Sequence, residues 1–339
     1  MRHRDTSPSS VKSGIEWTVP VLLAFAAIYL IWGSTYLVIR FAIETIPPFL
    51  MAGTRFLIAG GLLYAVLRWR GVARPTASQW RASAILGVLM MCGGNGLVTW
   101  AEQTVPSALA ALVVTTIPLW MVTLDALWFG GPKPTARVIT GLVLGLIGVG
   151  MLIGPADGAI APAGAAVLIT ATFLWALGSL RARSASVPAS PWMTAALQMV
   201  GGGVALMIVA TLAGEWQRFD PSAVSLRSLV AFAYLIVFGS IIALSAYVYL
   251  LRKTTAASVA TYAFVNPVIA LLLGWLVGEP LTERSLLGAA LVIGAVAFLH
   301  WNRAEKTAQL SPEPVANAGG EAASERTGSL LRRRWRRAA

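Results

Sequence analysis

Arg55 stands about seven residues into an apolar run that opens at Pro48, roughly 10 Å along a helix rising 1.5 Å per residue. A charge at that depth costs about 2.5 to 3.5 kcal/mol on insertion scales unless it faces protein or a wet cavity. Such a cation can hold a substrate carboxylate or swap partners as a gate; the alternative is an arginine that snorkels to the interface or ties down carbonyls. Glu102 and Gln103 end another apolar run just before Pro106. A carboxylate at that mouth can bind and release a proton or take a cationic substrate if partial burial raises its pKa, or it is simply a solvated helix end. Asn95 and Asn266 sit within apolar helices, where an amide either binds a ligand or bridges neighbouring helices. Trp32, Tyr36, Trp100, Trp175, Tyr247 and Tyr262 offer aromatic walls for a flat or amphipathic molecule. Aromatics near span ends more often anchor at the interface, and for Tyr36 and Trp100 that reading leads.

These residues do not assemble an enzyme. His3 and His300 are isolated, the single cysteine, Cys92, lies in an apolar stretch, and no Gly-rich phosphate loop precedes a basic residue. Neither metal-ligand spacing nor a disulfide framework is present, so no metal, cofactor or catalytic role is expected. With 57% hydrophobic and only 12% charged residues and a mean hydropathy of +0.73, against roughly 25% charge in an ordinary globular domain, a soluble fold is excluded. The net charge of +12 suggests nucleic acid until its placement is read. The basic residues lie in loops and at the two ends, so no nucleic-acid partner is expected and the lipid bilayer is.

The elements that position the candidates are apolar runs near 20 residues, the length that crosses about 30 Å of hydrocarbon as a helix. They fall at roughly 18–39, 48–67, 82–101, 106–129, 137–154, 162–180, 191–213, 228–251, 257–278 and 285–301. The pattern predicts an all-α integral membrane protein of ten transmembrane helices, since backbone groups in lipid must pair within their own segment. The first run lacks a small-residue cleavage site and reads as a retained helix. Counting Lys and Arg on alternating sides gives thirteen against four before the tail is added, which places both termini in the cytoplasm of a cell-membrane protein by the positive-inside rule. Residues 1–17 read as a cytoplasmic N-terminal segment, and 302–339 as a disordered cytoplasmic tail with a basic tip. That tip either touches anionic headgroups or is a solvated charge run.

The chain also repeats itself. Phe25 to Arg55 aligns with Leu168 to Gln198 at an offset of 143, placing Trp32 on Trp175, Pro48 on Pro191 and Arg55 on Gln198. Val105 to Pro118 aligns with Thr254 to Pro267, and Arg137 to Leu152 with Arg284 to Leu299. Units of five spans, 18–154 and 162–301, follow, and an odd count makes the second enter the membrane from the opposite face. Inverted repeats of this kind are how many transporters obtain two related conformations around a midplane site. Asn266-Pro267 and Ile117-Pro118 are expected to break corresponding helices and free carbonyls for a cavity or hinge.

Ile31-Trp32-Gly33-Ser34-Thr35-Tyr36, Ala52-Gly53-Thr54-Arg55-Phe56-Leu57 and Gly278-Glu279-Pro280-Leu281-Thr282, leading to Leu287-Gly288-Ala289-Ala290-Leu291-Val292, resemble the drug/metabolite transporter superfamily, specifically proteins with two EamA domains. The stretch Gly93 to Gln103 followed by Val105-Pro106-Ser107 resembles the subgroup of YedA-type bacterial inner-membrane permeases. The resemblance covers about 18–301 and implies ten helices, cytoplasmic termini, a central cavity between two five-helix halves, and movement of small metabolites, drugs or amino-acid-like compounds, often outward. The second copy departs from the first with Ala176 to Ser179 after its tryptophan, so only Trp175 is carried over there.

The expectation is a secondary transporter working by alternating access, with a site between the Trp32–Tyr36 and Trp175 regions supported by Arg55, its repeat mate Gln198, and Glu102. Its partner is a small-molecule substrate, with a proton or a counter-substrate as the coupling species left open. A membrane-embedded sensory or scaffolding protein and a lipid-handling protein remain as alternatives. The sequence is silent on substrate identity and oligomeric state.

Overall fold

A computed structural model describes residues 18–131, 136–152, 160–254, 259, 261–279, 282–284, 286–295 and 298. Residues 1–17, 132–135, 153–159 and 302–339 lie outside the described residues, as does Pro280-Leu281. The described residues all belong to one unit of the chain, which runs to Leu299. They are helical throughout apart from turns and connections, and seven stretches are long and apolar enough to cross a membrane, with two shorter apolar helices, Val265–Leu276 and Leu286–Ala295.

The first half begins with α1 (Val19–Ala42) and α2 (Pro48–Trp69). Next comes a long span made of α3 (Ala77–Gly87), a π-helical stretch Val88–Gly96 and α4 (Leu97–Ala101). The fourth span is two helices, α5 (Ser107–Val114) and α6 (Ile117–Trp128), followed by α7 (Ala136–Leu152). The second half has α8 (Pro162–Arg181), α9 (Pro191–Leu212) and the short turn helix α10 (Glu215–Arg218). Its third long span joins α11 (Leu226–Tyr234), a second π-helical stretch Leu235–Ile242 and α12 (Ala243–Lys253), and α13 (Tyr262–Leu276) follows.

Local chemistry explains the boundaries. Proline opens α2, α8 and α9, where the missing N–H is one that the first turn leaves unpaired anyway. Thr76 and Gln79 form a reciprocal capping box on α3, and Ser190 and Ser225 cap α9 and α11 through their hydroxyls. Exposed residues such as Leu22, Leu23, Trp69 and Leu212 are apolar, as a surface solvated by lipid requires.

The core is built where matching helices of the two halves cross. The closest partner of α2 is α9. A Cβ on Gly60 would lie 2.9 Å from the Ala196 carbonyl oxygen, and one on Gly203 2.9 Å from Leu57 Cγ. Small residues let these backbones approach so that dispersion contacts accumulate without help from water.

Two expectations about proline separate here. The fourth span does break, at Thr115-Thr116, whose hydroxyls turn back to the Leu112 and Val113 carbonyls, and Pro118 then sits in the first turn of α6. Pro267 instead lies inside a continuous α13, which corrects the expected matching break. The Asn266 amide nitrogen, oriented toward the Tyr262, Tyr29 and Ile28 carbonyls at 3.2, 3.0 and 3.3 Å, ties that segment to itself and to α1, so the lost ladder bond does not end the helix.

Candidate functional site

Arg55 projects from α2 into the interior and is 2% exposed. Its Nε donates to Ser240 Oγ at 2.7 Å, and its guanidinium carbon lies 4.7 Å from the Phe56 ring centre. Its Nη1 is buried and has no hydrogen-bond partner. An unpaired guanidinium N–H away from water is costly, and Arg55 lines a cavity of about 70 Å³. Trp32, Thr35 and Tyr36 line one side, Asn95 and Trp175 another, and Ile117, Leu244 and Tyr262 help close it. Asn95 Oδ1 is also buried and unpartnered. The cavity therefore pairs an orphan donor with an orphan acceptor inside a largely apolar wall.

The two π-helical stretches supply what the helices alone would not. They start 147 residues apart, at Val88 and Leu235, and so occupy matching places in the two halves. Widened turns of this kind expose backbone groups and recur at functional positions. The second gives Ser240 to Arg55 and the Gly239 carbonyl to Trp32 Nε1 at 3.3 Å. A Cβ on Gly239 would lie 2.9 Å from Arg55 Nη2, so glycine there makes room for the guanidinium. The first carries Met91, Gly94 and Asn95 to the cavity, and a Cβ on Gly94 would press within 2.8 Å of the Trp175 ring.

Four aromatic rings separate this cavity from a second one. Trp32 contacts Trp175, Tyr247 and Tyr262 at centroid distances of 5.6, 5.1 and 5.3 Å, and Trp175 contacts Tyr247 at 5.8 Å. Trp32, Trp175 and Tyr262 face the first cavity, while Tyr247 faces the second, which is lined also by Ser179, Arg183, Thr194, Gln198 and Arg252. Tyr247 and Ser179 share a hydrogen bond of 3.0 Å. The Trp175 indole nitrogen lies near the Tyr247 and Tyr262 hydroxyls without reaching hydrogen-bond geometry with either.

The sequence candidates therefore divide. Trp32, Tyr36, Arg55, Asn95, Trp175 and Tyr262 meet around one cavity, and Gln198 and Tyr247 belong to the other. Asn266 bridges helices. Trp100 is 38% exposed and Gln103 donates to the Trp100 carbonyl on the surface; neither lines a cavity. Glu102 is buried at the C-terminal end of α4 outside the cavity lining, with both carboxylate oxygens unpartnered. Its carboxyl is held well above the ordinary carboxylate range by burial, with Glu279 adding to the effect and Arg40 and Arg55 opposing it.

Sequence reasoning missed two carboxylate clasps at the end where α1 finishes. Gly214 and Gly278, with φ of 68° and 84°, end α9 and α13, and each is followed by a glutamate. Left-handed glycine terminates a helix without a Cβ clash. Glu215, 1% exposed, accepts from Phe49 N and Leu50 N at 3.3 and 2.7 Å, capping α2. Glu279 accepts from Ser107 N, Ser107 Oγ and Ala108 N at 3.2, 2.7 and 3.1 Å, capping α5, and pairs with Arg40 at 2.8 Å. Both place a carboxylate where a helix N-terminus is partly positive. The repeated Gly-Glu dipeptide was the available signal. At the other end, Asp125 pairs with Arg183 at 3.0 Å.

An all-helical chain with several membrane spans, whose buried polar groups converge on a cavity between two similar halves, has the architecture of a membrane transporter. The chain belongs to the EamA-like transporter family, whose pattern matches residues 19–154 and 162–301. It is 41% identical over 283 residues to the uncharacterized inner membrane transporter YedA of Escherichia coli K12, covering 83% of this chain and 90% of that one. The uncharacterized transporter YvbV of Bacillus subtilis is 29% identical, covering 86% and 94% respectively. A crystal structure 23% identical in sequence shares the fold, with a TM-score of 0.61 over 85% of this chain and 98% of the other. The chain is thus a multi-pass membrane protein of a transporter family.

Proposed function

We propose that this protein is a secondary transporter of ten spans in two inverted repeats, 18–154 and 162–301, that exports small carboxylate-bearing metabolites, amino-acid-like compounds among them. The observation that carries this reading is Arg55 Nη1, buried in the cavity wall without a partner while Asn95 Oδ1 nearby also lacks one. A bound carboxylate would satisfy the first, a donor such as an ammonium or hydroxyl the second, and the apolar walls would take the rest of the molecule. The aromatic cluster between the two cavities is the inner gate, and the Gly-Glu clasps close the outer end.

Direction follows from the distribution of basic residues. The positive-inside rule puts both termini and the Arg183 and Arg252 cavity on the cytoplasmic side and Arg40, Glu215 and Glu279 on the outer side. A state closed outside with a basic vestibule inside loads an acid from the cytoplasm, which supports export. A counter-substrate or a proton gradient supplies the energy.

The test is counterflow in proteoliposomes with a panel of labelled amino and organic acids, comparing the protein with Arg55→Lys. Lysine keeps the charge but loses the planar fork, so flux of the transported acid falls about tenfold, the equivalent of roughly 1.4 kcal/mol. Unchanged flux of every acid in Arg55→Lys would remove the proposed role.

A further inference from the structure

Glu102 is not explained by the substrate cavity. It is 2% exposed, and neither carboxylate oxygen has a hydrogen-bond partner among the described residues. An ionised carboxylate in that position would carry an uncompensated charge away from water, whereas a protonated one carries only an unmade hydrogen bond. The titratable and charged groups acting on it are Tyr36 and Arg40 from α1, Arg55 from α2, and Glu279 after α13. Of the two cations, Arg40 is committed to Glu279 at 2.8 Å, and Arg55 Nε is held by Ser240. Glu279 is in turn saturated by Arg40, Ser107 and Ala108.

We infer that Glu102 is a proton-binding site whose occupancy is set by the contact between Arg40 and Glu279. While Arg40 stays on Glu279, Glu102 keeps its proton as a neutral carboxylic acid. When Arg40 leaves Glu279, it becomes available to Glu102, which ionises and gives its proton to water. The ligand is a proton, and the partner exchange is between one guanidinium and two carboxylates. That this exchange accompanies opening of the outer end rests on the transporter reading above; the protonation itself does not.

The experiment is infrared spectroscopy of the purified full-length protein across pH, following the carbonyl stretch of protonated carboxyl groups, with Glu102→Gln to assign the band. The expected result is a protonated carboxyl at neutral pH in the unsubstituted protein that Glu102→Gln lacks. Identical spectra for the two at neutral pH would overturn the site. Linkage is read by a double-mutant cycle. Glu279→Gln moves the titration midpoint of the Glu102 band to lower pH, and does so by less when Arg40 is also Gln, because only the direct charge effect of Glu279 then remains. Equal shifts in both backgrounds would overturn the partner exchange. Should Glu279→Gln not purify folded, Arg40→Gln alone carries the test: the midpoint rises, and an unmoved midpoint overturns the linkage. None of these readouts requires transport, so failure here is distinguishable from failure of the proposed function.

Discussion

Trp32 and Trp175 occupy matching places in the two halves and meet edge to face, their ring centroids 5.6 Å apart at an interplanar angle of 83°. Their polar ends are not equivalent. Trp32 Nε1 donates to the Gly239 carbonyl, while Trp175 Nε1 makes no hydrogen bond. The same asymmetry separates Arg55, which faces the first cavity, from Gln198, which faces the second. The two halves share a framework and diverge at these paired positions.

Arg55 gives a separation of function from stability. Replacing a buried, incompletely paired charge by an apolar residue of similar length is often neutral or stabilising. Arg55→Met is therefore expected to unfold at the same temperature or higher in detergent while losing acid transport, measured by differential scanning fluorimetry and counterflow on the same preparation. A large fall in thermal stability would make Arg55 a structural residue.

Gly239→Ala tests the space reserved for the guanidinium. The new methyl would meet Arg55 Nη2 at 2.9 Å, forcing that side chain aside. With the guanidinium displaced from the cavity, substrate affinity is expected to fall roughly tenfold, about 1.4 kcal/mol, in a binding titration. Gly61→Ala, with open space at its Cβ, should leave affinity unchanged.

The helix contact at Gly87 is backbone against backbone. A Cβ there would lie 2.1 Å from the Gln198 carbonyl oxygen and 2.8 Å from Gly202 N, neither of which can rotate away. Gly87→Ala is expected to yield little folded protein, measured as the monodisperse fraction by size-exclusion chromatography, whereas Tyr247→Phe, which removes the bond to Ser179, should cost only about 1 kcal/mol.

Stability should also depend on pH through Glu102. Its folded-state pKa is raised above the ordinary 4.5, so its contribution is fully present below that value and is lost as pH rises through the folded value. Glu102→Gln is expected to flatten the alkaline side of the stability profile, read as the unfolding midpoint across pH, with little change at the acidic end. A profile that keeps its alkaline decline would assign the decline to other groups.

Much of this was legible in the sequence because the bilayer simplifies it. Apolar length marks spans, and the alignment of Trp32 with Trp175 and of Pro48 with Pro191 exposes the repeat without any side-chain geometry. Arg55 stood out because a charge in an apolar run needs a reason. The π-helical stretches were not legible, since Val88–Gly96 and Leu235–Ile242 carry no residue type that forbids an ordinary helix; packing selects their wider turns. Ser240 and Gly239 were hidden for the same reason. The capping roles of Glu215 and Glu279 were not legible because the helix ends they cap lie more than 160 residues away. Asn266 left both its readings open, and only the positions of the Tyr29 and Ile28 carbonyls identify the bridge.

The account turns on a carboxylate held by Arg55, and binding tests it most directly. Purified protein is warmed with a panel of acids and, for each, the analogue lacking the carboxyl group. A ligand at 100 times its dissociation constant stabilises the folded state by about 2.7 kcal/mol, enough to move the unfolding temperature visibly. The account predicts at least one acid that stabilises the protein, an analogue without the carboxyl that does not, and loss of the effect in Arg55→Met. Equal stabilisation by acid and analogue, or an undiminished effect in Arg55→Met, would contradict it.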